Sequence, residues 1–332
     1  MKPDFLWCID LKPVFQRIWS FLFESHLGSL EAIRRYRKEI KNIPTVEESI
    51  DTFCIRWPKS KPYNNSQPIF IFSAGWRSGS TLLQRLLMSS QQILVWGEPY
   101  GHTGLIDSLL QPLKGITSSY PPSKYFANHY LDHNDSDKIH SVLSHYWVAN
   151  LYPDPYYLVE SHISFLTNLF EKPAREKGFK QWGIKAVRLD IDCAIYLNWL
   201  FPQAKFLFLY RNPYHTYTSY RGSYWYNIWP TDPVYTPKRF GQHWKTLVEG
   251  YMNKHQKVNS LLIKYEDLCD GNFDISILEK FLGLTFDKSI MKSQIRGYRS
   301  GKKLKNIPYK ELKIIQNQVE PFASQLGYKL SV

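Results

Sequence analysis

The stretch IFIFSAGWRSGSTLLQRLL, which starts at Ile69, narrows the choice of fold more than any other part of the chain. A short apolar run passes through a turn rich in small residues straight into a segment whose Leu82, Leu83, Leu86 and Leu87 share one helical face. A buried strand that feeds directly into an amphipathic helix is the building unit of an α/β protein. Backbone N–H groups without partners at such a helix start, together with the helix dipole, favour an anion there. Gly75 and Gly79 permit a tight turn, and the hydroxyls of Ser78, Ser80 and Thr81 are available as further donors.

The rest of the chain repeats this alternation. Strands are expected at Ile69 to Phe72, Ile93 to Trp96, Trp182 to Ile184, Lys205 to Tyr210 and Leu261 to Lys264. Helical periodicity covers Thr81 to Ser89, Ser161 to Lys177, Ile191 to Phe201, His243 to His255 and Ile275 to Leu282. The expected fold class is α/β, a P-loop-like parallel sheet flanked by helices on both faces, with a helical N-terminal extension. Residues 1–62 form that extension, packed on the core, with Arg34, Arg35, Arg37, Lys38 and Lys41 on a solvated face. The segment Tyr63 to Pro68 reads as a linker into an α/β domain spanning 63–332.

Composition limits the function classes. With 332 residues and 43% hydrophobic content the chain buries a sizeable core, so disordered and fibrous readings fall away. The four cysteines, Cys8, Cys54, Cys193 and Cys269, lie far apart with no CxxC pair, which suggests neither a disulfide framework nor a zinc site and fits a reduced, cytoplasmic setting. The apolar stretch from Val14 to Leu30 is broken by Arg17, Glu24 and His26 and falls short of the roughly 18 apolar residues of a spanning helix. It reads as an amphipathic helix packed on the protein, with peripheral membrane contact as the alternative. A formal charge of +13 calls for an anionic partner. No zinc-finger or RNP-type pattern accompanies it, so a nucleotide or an acidic acceptor accounts for it without nucleic acid.

Setting Gly79 and Thr81 on the end of the nucleotide triphosphatase pattern GxxxxGK[ST] puts Ala74 at the first glycine and Ser80 where the lysine belongs. The cation is instead Arg77. The run Arg77-Ser78-Gly79-Ser80-Thr81 resembles the 5′-phosphosulfate loop of sulfotransferases, a basic residue followed by Ser-Gly-Thr/Ser-Thr. A second element, KFLFLYRNPYHTYTSY, carries an apolar run ending at Arg211, with Ser219 eight residues later. If residues 212–222 are helical, both side chains converge at the carboxyl edge of the sheet, where α/β folds bind ligands. A magnesium-dependent phosphotransferase more often ends a core strand in an acid, whereas an arginine suits a bare phosphate. The Arg-(x)7-Ser spacing is similar to the sulfotransferase 3′-phosphate motif.

The resemblance extends over about residues 67–328 and implies transfer of a sulfonate from 3′-phosphoadenosine 5′-phosphosulfate (PAPS), with adenosine 3′,5′-bisphosphate (PAP) as product and no metal. It is closer to the bacterial, tyrosylprotein and carbohydrate branches than to the cytosolic small-molecule branch. It implies that Tyr265 contacts the adenine edge and that Arg296, Arg299, Lys302 and Lys303 close over the 3′-phosphate, with Ser300 assisting. Lys185 and Arg77 fall to the transferring sulfonate and the leaving oxygen. The cytosolic branch draws its base from a Lys-Thr-His segment, but here Lys185-Ala186-Val187 puts a valine in the histidine's place. Leu82 likewise stands where that branch often has a tryptophan. Glu98, in VWGEPYGH, is therefore the expected general base, with His102 and His162 as lower-ranked bases. Two neighbouring cations weaken a carboxylate as a base until the anionic donor offsets their field.

The aromatic insert Ser223 to Pro237 is a candidate lining for the pocket of a small-molecule or carbohydrate acceptor, or equally a packed loop. Rival readings are a P-loop kinase-like phosphotransferase and a non-enzymatic polyanion binder.

Overall fold

The computed structural model of the protein describes residues 44–128, 151–221, 234–292 and 307–330. Five strands form one parallel sheet in the order β2-β3-β1-β4-β5, where β1 is Ile69–Ser73, β2 Ile93–Gly97, β3 Gln181–Ala186, β4 Lys205–Tyr210 and β5 Ser260–Lys264. The helices that position the site are α1 (Val46–Arg56), α2 (Ser80–Met88), α3 (Leu105–Lys114), α4 (Pro155–Leu166), α5 (Ile191–Leu200), α6 (Pro213–Arg221), α7 (Pro237–Lys254), α8 (Ile275–Leu282) and α9 (Tyr309–Val319). The α/β expectation holds, and every expected strand is present.

Two expected helices differ at their starts. α4 begins at Pro155, with Asp154 as its N-cap, and runs on through a π-helical turn at Thr167–Glu171. α7 begins at Pro237, where the Thr236 side chain accepts from the Arg239 N–H. In both cases a proline at the first helical position fixes the start, a stronger signal than the apolar spacing that picked out the later residues.

The alternating sequences of β1 and β4 sort onto two faces, as a strand's period of two requires. Phe70 and Phe72 join Phe206 and Phe208 in an aromatic layer, with ring centroids 5.2 Å apart for Phe70–Phe206 and 6.0 Å for Phe72–Phe208. Ile69, Ile71, Leu207 and Leu209 point the other way, onto the leucines of α2 and onto Leu278 and Leu282 of α8. Because both faces are covered, the central strands read as unbroken apolar runs. The edge strands β2 and β5 are less buried.

Residues 44–62, the described part of the N-terminal segment, contribute Val46, Ile50 and Phe53 to the aromatic side of the core. The capping box between Thr45 and Glu48 starts α1. Residues 1–43, including the basic run and the apolar stretch, lie outside the described residues. Within the expected linker, buried Ser66 accepts from the indole of Trp182 at 2.9 Å and donates to Glu171 at 2.8 Å, while Tyr63, Asn65 and Gln67 are exposed. No helix among the described residues is long and apolar enough to cross a membrane.

Gly183 of β3 shows how closely the strands pack, since a Cβ there would run into the backbone carbonyl of Ile69. The obstacle is strand backbone, which cannot swing aside as a flexible side chain would. Gly183→Ala is therefore expected to cost about 1–3 kcal/mol or more, read as a lower urea midpoint; an unchanged midpoint would refute this account of the β1–β3 contact.

Candidate active site

Strand order puts the site together. β1 and β4 are neighbours, with Ser73 opposite Leu209, and the Ala74 N–H continues the pairing to the Leu209 carbonyl at 2.9 Å. The loop after β1 and the residues after β4 therefore leave the sheet side by side. On the other side of β1 runs β3 with Lys185, and beyond it β2, whose Gly97 is paired with Lys185. The sequence elements expected to carry chemistry thus meet at one carboxyl edge, where the chain reverses its direction of progress across the sheet.

The loop 74–79 is held from within. The Ser78 hydroxyl donates to the carbonyls of Ala74 at 3.0 Å and Gly75 at 2.7 Å, which secures the turn. Gly79 caps α2 in the left-handed region, at φ 91°, and no side chain caps the helix. Its bare Cα is needed twice over, since a Cβ would also collide with the Tyr265 ring. Arg77 also has a left-handed backbone, φ 65°, which costs a non-glycine residue on the order of 1 kcal/mol. Ser80 is buried and Thr81 exposed at the first turn of α2.

The Arg211 guanidinium, buried at the end of β4, donates from Nη1 to the Arg77 carbonyl at 2.8 Å and lies 4.5 Å from the centroid of the Tyr265 ring. Its own carbonyl accepts from the Trp244 indole at 2.9 Å. Ser219, on the second turn of α6, accepts from Arg77 Nε at 2.9 Å. Arg211 and Ser219 thus meet the loop at the same residue, one through its backbone and the other through its side chain. Tyr265 is 7% exposed, pressed between Gly79 and Arg211.

Across β1, buried Lys185 forms an ion pair with Glu98. The Glu98 N–H donates to the Lys185 carbonyl at 2.7 Å, which extends the β2–β3 pairing by one residue and sets the carboxylate beside the ammonium. Glu98 and Tyr100 have left-handed backbones at φ 40° and 54°, a concentration of unusual conformations typical of functional loops.

Beside Glu98 opens a cavity of about 440 Å³, with apolar walls that include Phe170, Ile184, Val187 and Leu247. Val187, in the place of the missing histidine, lines it. His162 does not: it is buried, its Nδ1 is 2.8 Å from the Tyr196 hydroxyl, and burial pushes its imidazole below the usual range. The His102 side chain lies outside the described residues, as do Arg296, Arg299, Ser300, Lys302, Lys303 and residues 223–233 of the aromatic insert.

Four ionisable residues of this cavity were not picked out from sequence: Asp107, Arg188, Asp190 and His243. Three come from stretches with no motif. Arg188, three residues beyond Lys185, was within view but carried no role. Among the described residues no three His, Cys, Asp or Glu side chains gather as a metal site would need.

A family model described as "Sulfotransferase family" matches residues 68–288. No curated protein matches by sequence. Among solved structures, the chain is similar to the sulfotransferase domain from the curacin biosynthetic pathway at 18% identity, covering 81% of this chain and 100% of that one, with a TM-score of 0.45. It is also similar to the sulfotransferase domain of the Synechococcus PCC 7002 olefin synthase, at 18% identity over 82% of this chain and 98% of that one, TM-score 0.42. A sulfotransferase from Mycobacterium avium aligns at 12% identity over 99% of both chains, TM-score 0.41.

Asp107 supplies a test of the cavity's electrostatics. Asp107 keeps an exposed side chain, yet partial desolvation at the cavity wall, reinforced by Asp190, raises its carboxyl above the ordinary range despite the bond it accepts from the Cys193 thiol at 3.3 Å. The folded protein then holds this proton to higher pH than the unfolded chain, so stability falls as pH rises through the window between the two values. Asp107→Asn is expected to raise the melting temperature at pH 7 by no more than about 1 °C, because solvent screens an exposed carboxyl, and to leave it unchanged near about pH 3, where the carboxyl is protonated in both states. A lower melting temperature at pH 7 would show that the favourable position of Asp107 in the first turn of α3 outweighs desolvation.

Proposed function

The chain belongs to the sulfotransferase family, and on that premise we propose that it transfers a sulfonate group from PAPS to a hydroxyl or amine of a small-molecule or carbohydrate acceptor, with Glu98 as general base. The observation that carries this reading is the meeting of two anion-binding elements at one sheet edge: the Arg77 loop with its uncapped helix start, and Arg211 with Ser219. A nucleotide with phosphates at both its 5′ and 3′ positions suits two such elements better than a single polyphosphate tail does.

The residues present fit such a donor. The N–H groups at the start of α2, with the Ser80 and Thr81 hydroxyls, would hold its 5′ end, and Arg211 and Ser219 its 3′-phosphate. Tyr265 would lie against the adenine edge, and Arg299 and Lys302 are proposed to reach the 3′-phosphate from the C-terminal segment. When bound, the donor supplies the sulfonate together with a phosphate leaving group.

In-line displacement of this kind is governed by positioning and by charge. Arg77 and Lys185 would neutralise the charge that grows on the departing oxygen, so the reading requires no metal. Glu98 takes the proton from the acceptor's O–H or N–H as the new bond to sulfur forms and the bond to the phosphate oxygen breaks. Before that, Lys185 must exchange its pairing with Glu98 for the anionic end of the donor, which releases the carboxylate as a base. Donor-first binding follows from this exchange. The cavity beside Glu98 has a volume within the range of about 300–1,000 Å³ usual for small-molecule sites, and we assign the acceptor to it.

Thermal unfolding with PAP, compared with ATP plus magnesium, separates this reading from a kinase. At 100 times its dissociation constant PAP is expected to add about 2.7 kcal/mol, and a response to ATP with magnesium alone would favour the kinase. Equal responses that vanish in modest salt would favour a polyanion binder. Arg211→Ala is expected to weaken PAP binding by at least about tenfold, the loss of one charged hydrogen bond. Glu98→Gln should leave PAP binding intact while lowering turnover on the order of 100-fold or more, measured with labelled donor; normal turnover in that variant removes Glu98 from the role.

A further inference from the structure

A tryptophan in the middle of the anion loop is chemically out of place. An indole does not hold phosphate, and the surrounding Gly75, Ser78 and Gly79 are small so that backbone can approach a ligand. Yet Trp76 is 6% exposed, with its ring drawn into the protein. It stacks on Tyr220 with centroids 5.5 Å apart and planes 17° from parallel, and on His243 at 6.1 Å and 29°. The Arg188 guanidinium lies 4.7 Å from its centroid.

The contacts are in register. Trp76 meets Tyr220 while its neighbour Arg77 bonds Ser219, so two consecutive loop residues engage two consecutive residues of α6. The ring contact lies next to the residue with the left-handed backbone, whose carbonyl is the one that Arg211 holds. A stacked aromatic pair contributes about 0.5–1.5 kcal/mol beyond its area, comparable with the cost of the Arg77 conformation. On its other contacts the ring supports Arg188 and His243, both of which line the cavity beside Glu98.

From this geometry we propose that Trp76 is a positioning residue: it fixes the separation of the two anion-binding elements by locking the loop to α6, and it ties that spacing to the wall of the acceptor cavity. The inference rests on the donor reading given above and adds to it a residue that touches neither phosphate. The ring sets where the Arg77 side chain and carbonyl lie, and hence whether the loop and Arg211 grip one nucleotide together.

The test uses the full-length protein and PAP as probe, with turnover measured from labelled donor. Trp76→Leu is expected to weaken PAP binding about tenfold and to lower kcat on the order of 100-fold, the effect of misplacing a reacting group by about 1 Å. Trp76→Phe, which keeps a stacking ring, should recover most of both losses. Tyr220→Leu should reproduce part of the defect, and the double variant Trp76→Leu/Tyr220→Leu should lose less than the sum of the two single losses, because the Trp76–Tyr220 contact is counted in both. Melting temperature is followed in parallel. If Trp76→Leu lowers only the melting temperature while the folded protein keeps its PAP affinity and kcat, or if the two substitutions simply add, the ring is ordinary core and the proposal falls. Failure of the unsubstituted protein to bind PAP would instead remove the donor reading, and this inference with it.

Discussion

The parallel pairing of β1 with β4 is the constraint from which the site follows. Two strands hydrogen-bonded in the same direction must release their next residues at the same edge, so the segments that carry Arg77 and Arg211, far apart in the chain, leave the sheet side by side. The sheet needs no specific side-chain contact to achieve this. Apolar runs long enough to be buried on both faces suffice, and the alternation of phenylalanine with isoleucine or leucine decides which layer each residue joins.

What the backbone brings together, the polar contacts adjust. Gathering Arg77, Lys185 and Arg211 at one edge is electrostatically costly unless each has an acceptor. Each does: a serine hydroxyl, a carboxylate and a backbone carbonyl, respectively. These acceptors belong to the neighbouring elements of the same site, so the cations hold the loop, β2, β3 and α6 in mutual register. The same bonds are the ones a polyanion would compete for, and that links the resting arrangement to ligand binding.

The side of the site that faces the cavity has a different character. Its walls are apolar, its carboxyl groups at Asp107 and Asp190 stand at helix starts, and its cation Arg188 lies over Trp76. The positive charge that dominates the chain as a whole is therefore not what this cavity presents. The proposed reading assigns the nucleotide to the cations and the acceptor to this mixed, mostly apolar surface.

Sequence alone determined the elements and their local chemistry. A strand, a small-residue turn and a leucine-faced helix are set by neighbours a few residues apart, and so β1, the loop and α2 were legible, as were Arg211 directly after β4 and Ser219 on the second turn of α6. The starts of α4 and α7 were legible too, had Pro155 and Pro237 been given the weight that a fixed φ at a helix start deserves. Tertiary structure alone decided the rest: that the Ser78 hydroxyl braces the turn, that His162 is tied to Tyr196 in the core, that His243 and Arg188 both contact Trp76, and that Ser66 is a buried partner of Trp182. Those facts depend on which surfaces of distant elements face one another, and periodicity records only that a side is buried, never against what.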